Sequence, residues 1–168
     1  MQKTHPDFRF LVSRPGRFFA LGCGLGLAPK APGTFGTLGG FILAGGLAAL
    51  PVPLWVNLVI IATCFVVGCA ICDEAGRALG EADHGSIVWD EIVSFALVLI
   101  CVPFSLVIWV AAFLLFRLFD ILKPWPISVA DARFKNGFGV MLDDLIAAGF
   151  ALCVLWAVFL VWPIVNLL

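Results

Sequence analysis

The sequence predicts an all-α fold: a polytopic membrane helical bundle of about four to five hydrophobic helices, with the polar motifs gathered on one face. Three observations carry this expectation. Of 168 residues, 62% are hydrophobic and only 12% charged, where an ordinary soluble domain carries about 25% charged residues. The apolar residues form four runs without a charge, at 35–50, 54–72, 92–116 and 145–168. The ionisable residues gather in the pieces between these runs, 1–34, 73–90 and 117–144, and at the helix ends that meet them. One domain is the natural expectation at this length, with residues 1–17 as an amino-terminal cytoplasmic tail and 18–168 as a single membrane-embedded unit.

Each helix follows from its own run. Residues 35–50 are short and glycine-rich, which suits close helix packing in lipid. Residues 54–72 and 145–168 reach the length of about 20 apolar residues that a spanning helix needs. The run 92–116 is long enough for one tilted helix, but Pro103 removes a backbone donor and disfavours helix in the residue before it. Charge placement favours two helices there. Crossings at 35–50, 54–72, 91–102, 106–119 and 145–162 leave PVP (51–53), PFS (103–105) and the tail PIVNLL on the far side, none with a charge. Every lysine and arginine then falls on the near side, which the positive-inside rule makes the cytoplasm. A single span at 92–116 would place Lys123, Arg133 and Lys135 outside. The amino terminus is therefore expected inside; whether 91–102 crosses fully is open.

Composition also excludes partners. A formal net charge of −1 gives no reason to expect nucleic acid. Cys64, Cys69, Cys101 and Cys153 sit in apolar runs, where thiols act as small hydrophobes, so no disulfide framework is expected. Cys69 and Cys72 form C-x-x-C without the second pair of a zinc site. FFALGCGLGLA (18–28) follows basic residues like a leader, but its glycines and the prolines behind it make a poor apolar core, and a glycine-rich loop is expected.

Four polar stretches carry the chemistry. In GCGLGLAPKAPGTFGT (22–37), glycines let backbone amides approach a ligand, and Thr34 is expected to cap a helix starting at Phe35, turning amides near Gly33 and Thr34 toward an anion. The G-K-[ST] ending of a Walker loop is absent; a tight entry turn explains the same residues. DHGSIVWDE (83–91) places Asp83 and His84 in a loop and Asp90 and Glu91 at a helix start. Acids there complement the helix dipole, yet an unpaired carboxylate at a membrane boundary is expensive. In RLFDILKPWPI (117–127), Arg117, Asp120 and Lys123 share one helical stripe that Pro124 ends. They form an ion-pair ladder, or offer two cations to phosphate and a carboxylate to a metal. In NGFGVMLDDL (136–145), Asp143 and Asp144 open the last helix and diverge by about 100°, so one can cap while the other faces inward. All four stretches meet on one membrane face. A hard cation such as Mg²⁺, which takes oxygen ligands and bridges to substrate phosphate, lowers the cost of gathering so many carboxylates.

The motifs APGTFGTLGG, DHGSIVWDE, FRLFDILKPWPI and GFGVMLDD, in this order, resemble the bacterial phosphatidylglycerophosphatase A family, and the resemblance extends over nearly the whole chain from about Phe18. It implies a Mg²⁺-dependent, multi-pass enzyme of the bacterial inner membrane with its site facing the cytoplasm. Its substrate would be phosphatidylglycerol phosphate, cleaved to phosphatidylglycerol and inorganic phosphate. Thr37 stands where the family often has serine, a change that keeps a hydroxyl.

The residues agree with this chemistry and exclude rivals. No C-x5-R is present for a thiol-phosphate intermediate, no D-x-D strand motif, and no arginine-serine-histidine signature around His84. Metal-assisted attack by water remains, with cations neutralising the phosphomonoester. Glu91, Asp120 and Asp144 are expected to form the core of the Mg²⁺ site, with Asp90 and Asp143 as additional acids. Arg117 and Lys123 would hold phosphate oxygens beside the amides at Gly33 and Thr34. Asp83 and His84 would handle protons, with His84 protonating the leaving alkoxide or orienting a carboxylate. Two alternatives compete. A CDP-alcohol phosphotransferase-like enzyme would need D-G-x-x-A-R, which DEAGRALGEAD (73–83) echoes imperfectly. An ion-coupled transport protein would place its acids near the bilayer midplane instead of one boundary.

Overall fold

The computed structural model describes residues 5–165, all of whose regular structure is helical. Residues 1–4 of the expected tail and 166–168 of the expected far-side segment lie outside the described residues. The order is α1 (Phe8–Val12), α2 (Pro15–Ala20), a 3₁₀ segment (Gly22–Leu27), α3 (Pro32–Ala48), α4 (Leu54–Leu79), α5 (Trp89–Ile100), α6 (Leu106–Leu122), α7 (Ile127–Arg133) and α8 (Gly137–Val165).

The long helices begin and end where their sequences dictate. Pro53 precedes α4, and Gly80 ends it in a left-handed conformation (φ 78°). Residues 101–105 separate α5 from α6, so Pro103 divides the third apolar run as expected. Lys123 closes α6 with φ 41°, and Pro124 follows. Two caps differ from expectation. The α3 helix starts at Pro32, with Ala31 in the left-handed region (φ 48°) before it, so Thr34 lies inside the first turn and its N–H donates to the Ala31 carbonyl at 2.9 Å. Proline has no amide to satisfy and favours the first helical position, which moves the start upstream. At α8 the caps are Asn136, whose Oδ1 accepts from the Gly139 N–H at 3.0 Å, and Asp73, whose Oδ1 accepts from the Gly137 N–H at 3.1 Å. Asp143 and Asp144 therefore sit in the second turn, and neither caps the helix.

Helix α5 is the centre of the bundle. It packs chiefly on α3, α8 and α4, and Asp90, Ile92, Val93, Ser94, Phe95, Ala96, Val98 and Leu99 are all buried. Its 12 residues rise about 18 Å, short of a hydrocarbon core about 30 Å thick; neighbouring helices, not lipid, cover it. The α4 and α8 helices are long and apolar enough to cross a membrane. Only 17% of the most apolar window of α4 is buried, so side chains such as Trp55, Val59 and Val66 point outward. So large an exposed apolar surface marks a membrane-associated protein. All six cysteines are free.

The amino-terminal segment is tied down. The expected boundary between residues 17 and 18 falls within α2, and Arg17 bonds Glu74 of α4 at 2.9 Å. The Val88 N–H donates to the Ala20 carbonyl at 3.0 Å, which holds the loop before α5 against the same segment.

Candidate active site

The first turn of α5 and the second turn of α8 bring Asp90, Glu91 and Asp144 together. One carboxylate oxygen from each lies within 4.8 Å of the others. Asp90 is 6% exposed and Asp144 3%. Asp90 Oδ1, Glu91 Oε2 and Asp144 Oδ2 are buried without a hydrogen-bond partner. A buried polar atom left unpaired costs about 1–3 kcal/mol, more when charged, and the three acids form a group that could hold a metal ion.

The carboxyl end of α6 supplies the neighbouring charge. Arg117 Nη1 bonds Asp120 closely, lies 3.7 Å from Glu91 Oε1, and donates to Thr37 Oγ1 at 3.4 Å. Thr37 is fully buried and donates in turn to the Gly33 carbonyl at 2.9 Å. Asp120 stands beside Glu91 and Asp144 but is engaged by Arg117. Below this layer, Phe95 and Phe116 are fully buried and pack with ring centroids 5.5 Å apart, closing the floor with hydrocarbon.

Close approach explains the first two glycines of α3, Gly33 and Gly36. A Cβ on Gly33 would collide with Glu91 Oε1, and one on Gly36 would meet Val88 Cβ at 2.7 Å and Glu91 Oε2 at 3.1 Å. Gly33 therefore stands directly against Glu91, where a side chain has no room. Thr34 stands next to it in the first turn, with its amide already bonded.

A second cluster surrounds Lys123. Its Nζ lies 2.5 Å from Asp143 Oδ2, 3.1 Å from Asp131 Oδ1 and 3.7 Å from Asp83 Oδ2. Lys135 bonds the other Asp131 oxygen at 3.4 Å. Burial acts to lower the Lys123 pKa, but the bond to Asp143 and the charges of Asp143, Asp83 and Asp131 hold it above the usual lysine range. Burial likewise acts to raise Asp131, and Lys123 and Lys135 overcome it to hold that carboxyl below the usual range. Asp143 thus groups with Asp83 and Asp131 and not with Asp90, Glu91 and Asp144, because adjacent helical positions diverge by about 100°. His84 is buried, and its Nδ1 accepts from the Ser86 N–H at 3.2 Å; in the neutral ring the proton then sits on Nε2.

The sequence reading passed over Gly36 and Asp131, and noted Thr37 only for its hydroxyl. Asp131 carried a faint signal, an acid between Lys123 and the last helix in a stretch otherwise basic.

With this geometry in hand, the family model described as Phosphatidylglycerophosphatase A matches residues 18–159. The chain belongs to the phosphatidylglycerophosphatase A family. It is similar to the Haemophilus influenzae protein named Phosphatidylglycerophosphatase A, 43% identical over 159 residues, 94% of this chain and 97% of that one. The Escherichia coli protein of the same name is 36% identical over 157 residues, 93% of this chain and 90% of its own. No solved structure matches the chain significantly. As a member of the phosphatidylglycerophosphatase A family, the chain is a phosphatase, a phosphoric monoester hydrolase.

Proposed function

We propose that the protein hydrolyses the terminal phosphomonoester of phosphatidylglycerol phosphate, with Mg²⁺ held by Asp90, Glu91 and Asp144. The observation that carries this reading is the convergence of Asp90, Glu91 and Asp144, each with a buried carboxylate oxygen lacking a partner, beside Arg117. An all-oxygen donor set with several acids fits a hard divalent cation. When bound, Mg²⁺ would neutralise phosphate oxygens and orient the attacking water. Asp120 holds the Arg117 guanidinium beside Glu91, where it can take two phosphate oxygens. Lys123 adds positive charge at the rim while its own donors face Asp83, Asp131 and Asp143, and Gly33 lets Glu91 approach the α3 backbone. His84 gives a proton to the leaving glycerol oxygen while water supplies the new P–O bond, so the products are the diol lipid and inorganic phosphate.

The same reading sets the topology. Helices α3, α4, α5, α6 and α8 correspond to the five expected hydrophobic helices, α5 reaching only partway across, with the amino terminus and the acids on the cytoplasmic side of the inner membrane. The charge-free connections at 51–53 and 103–105 support this arrangement. A headgroup then reaches the site from the inner leaflet without leaving the bilayer.

The test is phosphate release from phosphatidylglycerol phosphate by detergent-purified protein, with and without chelator, and with phosphatidic acid as competitor. Release that stops in chelator and returns with Mg²⁺ is expected. Full turnover in chelator would sink the metal assignment, and absence of release under every condition would sink the substrate.

A further inference from the structure

The acids of this site fall into two clusters, and each holds three carboxylate oxygens within 4.8 Å, a spacing that suits one cation. They differ in what already fills them. At Asp90, Glu91 and Asp144, one oxygen of each residue has no partner, and the nearest guanidinium lies 3.7 Å away on Glu91 alone. At Asp83, Asp131 and Asp143, the Lys123 ammonium stands at the centre, 2.5 to 3.7 Å from all three. Its position is built in: Lys123 takes a left-handed backbone (φ 41°) rare for a residue with a side chain, and the turn sends its side chain off the α6 stripe toward α7 and α8.

We infer that Lys123 takes the place of a second metal ion, keeping the Asp83–Asp131–Asp143 cluster closed to divalent cations so that the chain binds only one. The inference rests on the metal reading of the first cluster. An ammonium offers three donors, enough for the three acids it faces, and a divalent ion entering there would have to displace it against like-charge repulsion. Asp131, on α7, is the positioning residue of this arrangement. Together with Asp143 it grips Nζ from a separate helix.

The experiment counts Mn²⁺ bound per chain by electron paramagnetic resonance on detergent-purified, full-length protein. One ion is expected in the wild type, two in Lys123→Met, and one again in the double variant Lys123→Met/Asp131→Asn, which has lost an acid of the opened cluster. Lys123→Arg keeps the cation and should bind one. Two ions in the wild type would overturn the inference without any variant, as would a folded Lys123→Met that gains none. An ion-free wild type beside a Lys123→Met that binds one would overturn the metal reading of the first cluster and uphold the role of Lys123.

Discussion

Asp143 and Asp144 are neighbours on one helix and stand in opposite electrostatic surroundings. Asp143 meets an ammonium at 2.5 Å, whereas Asp144 keeps a buried oxygen without a partner next to two more acids. A turn of about 100° between consecutive residues separates the two worlds. One cluster is occupied by the chain's own Lys123 ammonium. The other keeps buried carboxylate oxygens without a partner, which is costly unless something else satisfies them.

The sharpest break of this contrast is Asp144→Asn. Loss of a carboxylate from the unfilled cluster should reduce phosphate release by about 10³-fold, the upper end for one preorganised electrostatic group. The same variant, in chelator, should melt above the wild type because like charges no longer crowd a buried point. Circular dichroism in detergent reads both fold and melting. A variant that melts below the wild type would show that the carboxylate is already satisfied in the folded protein.

Gly33→Ala attacks the same cluster through shape. Its Cβ has no room beside Glu91 Oε1, so Glu91 must shift, and a misplacement of about 1 Å costs on the order of 10²-fold in rate. Metal affinity should fall with it, measured as a rise in the Mg²⁺ concentration for half-maximal turnover.

Thr37 tests how Arg117 is held. Removing the hydroxyl in Thr37→Val deletes the acceptor of the Arg117 contact and should lower turnover about tenfold, the scale of a bond to a charged group. Thr37→Ser keeps the oxygen and should restore most of the rate. A loss in Thr37→Ser with full turnover in Thr37→Val would mean that the methyl group, not the hydroxyl, matters.

The smallest effect belongs to the filled cluster's edge. Lys135 is 60% exposed and touches Asp131 from outside, so Lys135→Ala should change stability by less than about 1 kcal/mol and turnover by less than twofold. A tenfold loss would show that Lys123 alone does not hold the cluster together.

Much of this was legible along the chain because charge is conspicuous against an apolar background. The break at Pro103, the acids opening α5 and the pairing of Arg117 with Asp120 follow from local rules of proline geometry and helical spacing. The helix starts at α3 and α8 were displaced by a few residues, since Pro32 and the Asn136 and Asp73 side chains offered better ends than Thr34 or the aspartates. Asp131 had only a faint local signal, an acid in a basic stretch; its importance lies in reaching a lysine eight positions back.

By itself the sequence determined an all-helical, membrane-associated chain, its family, and the set of ionisable residues from which a phosphatase site is made. These depend on composition, order and spacing, which a linear string carries completely. The tertiary structure alone decided how those acids divide. Whether a carboxylate meets Lys123, Arg117 or only other carboxylates depends on the rotation of α8 against α5 and on the backbone turn at Lys123, and electrostatic interaction follows distance in space rather than along the chain.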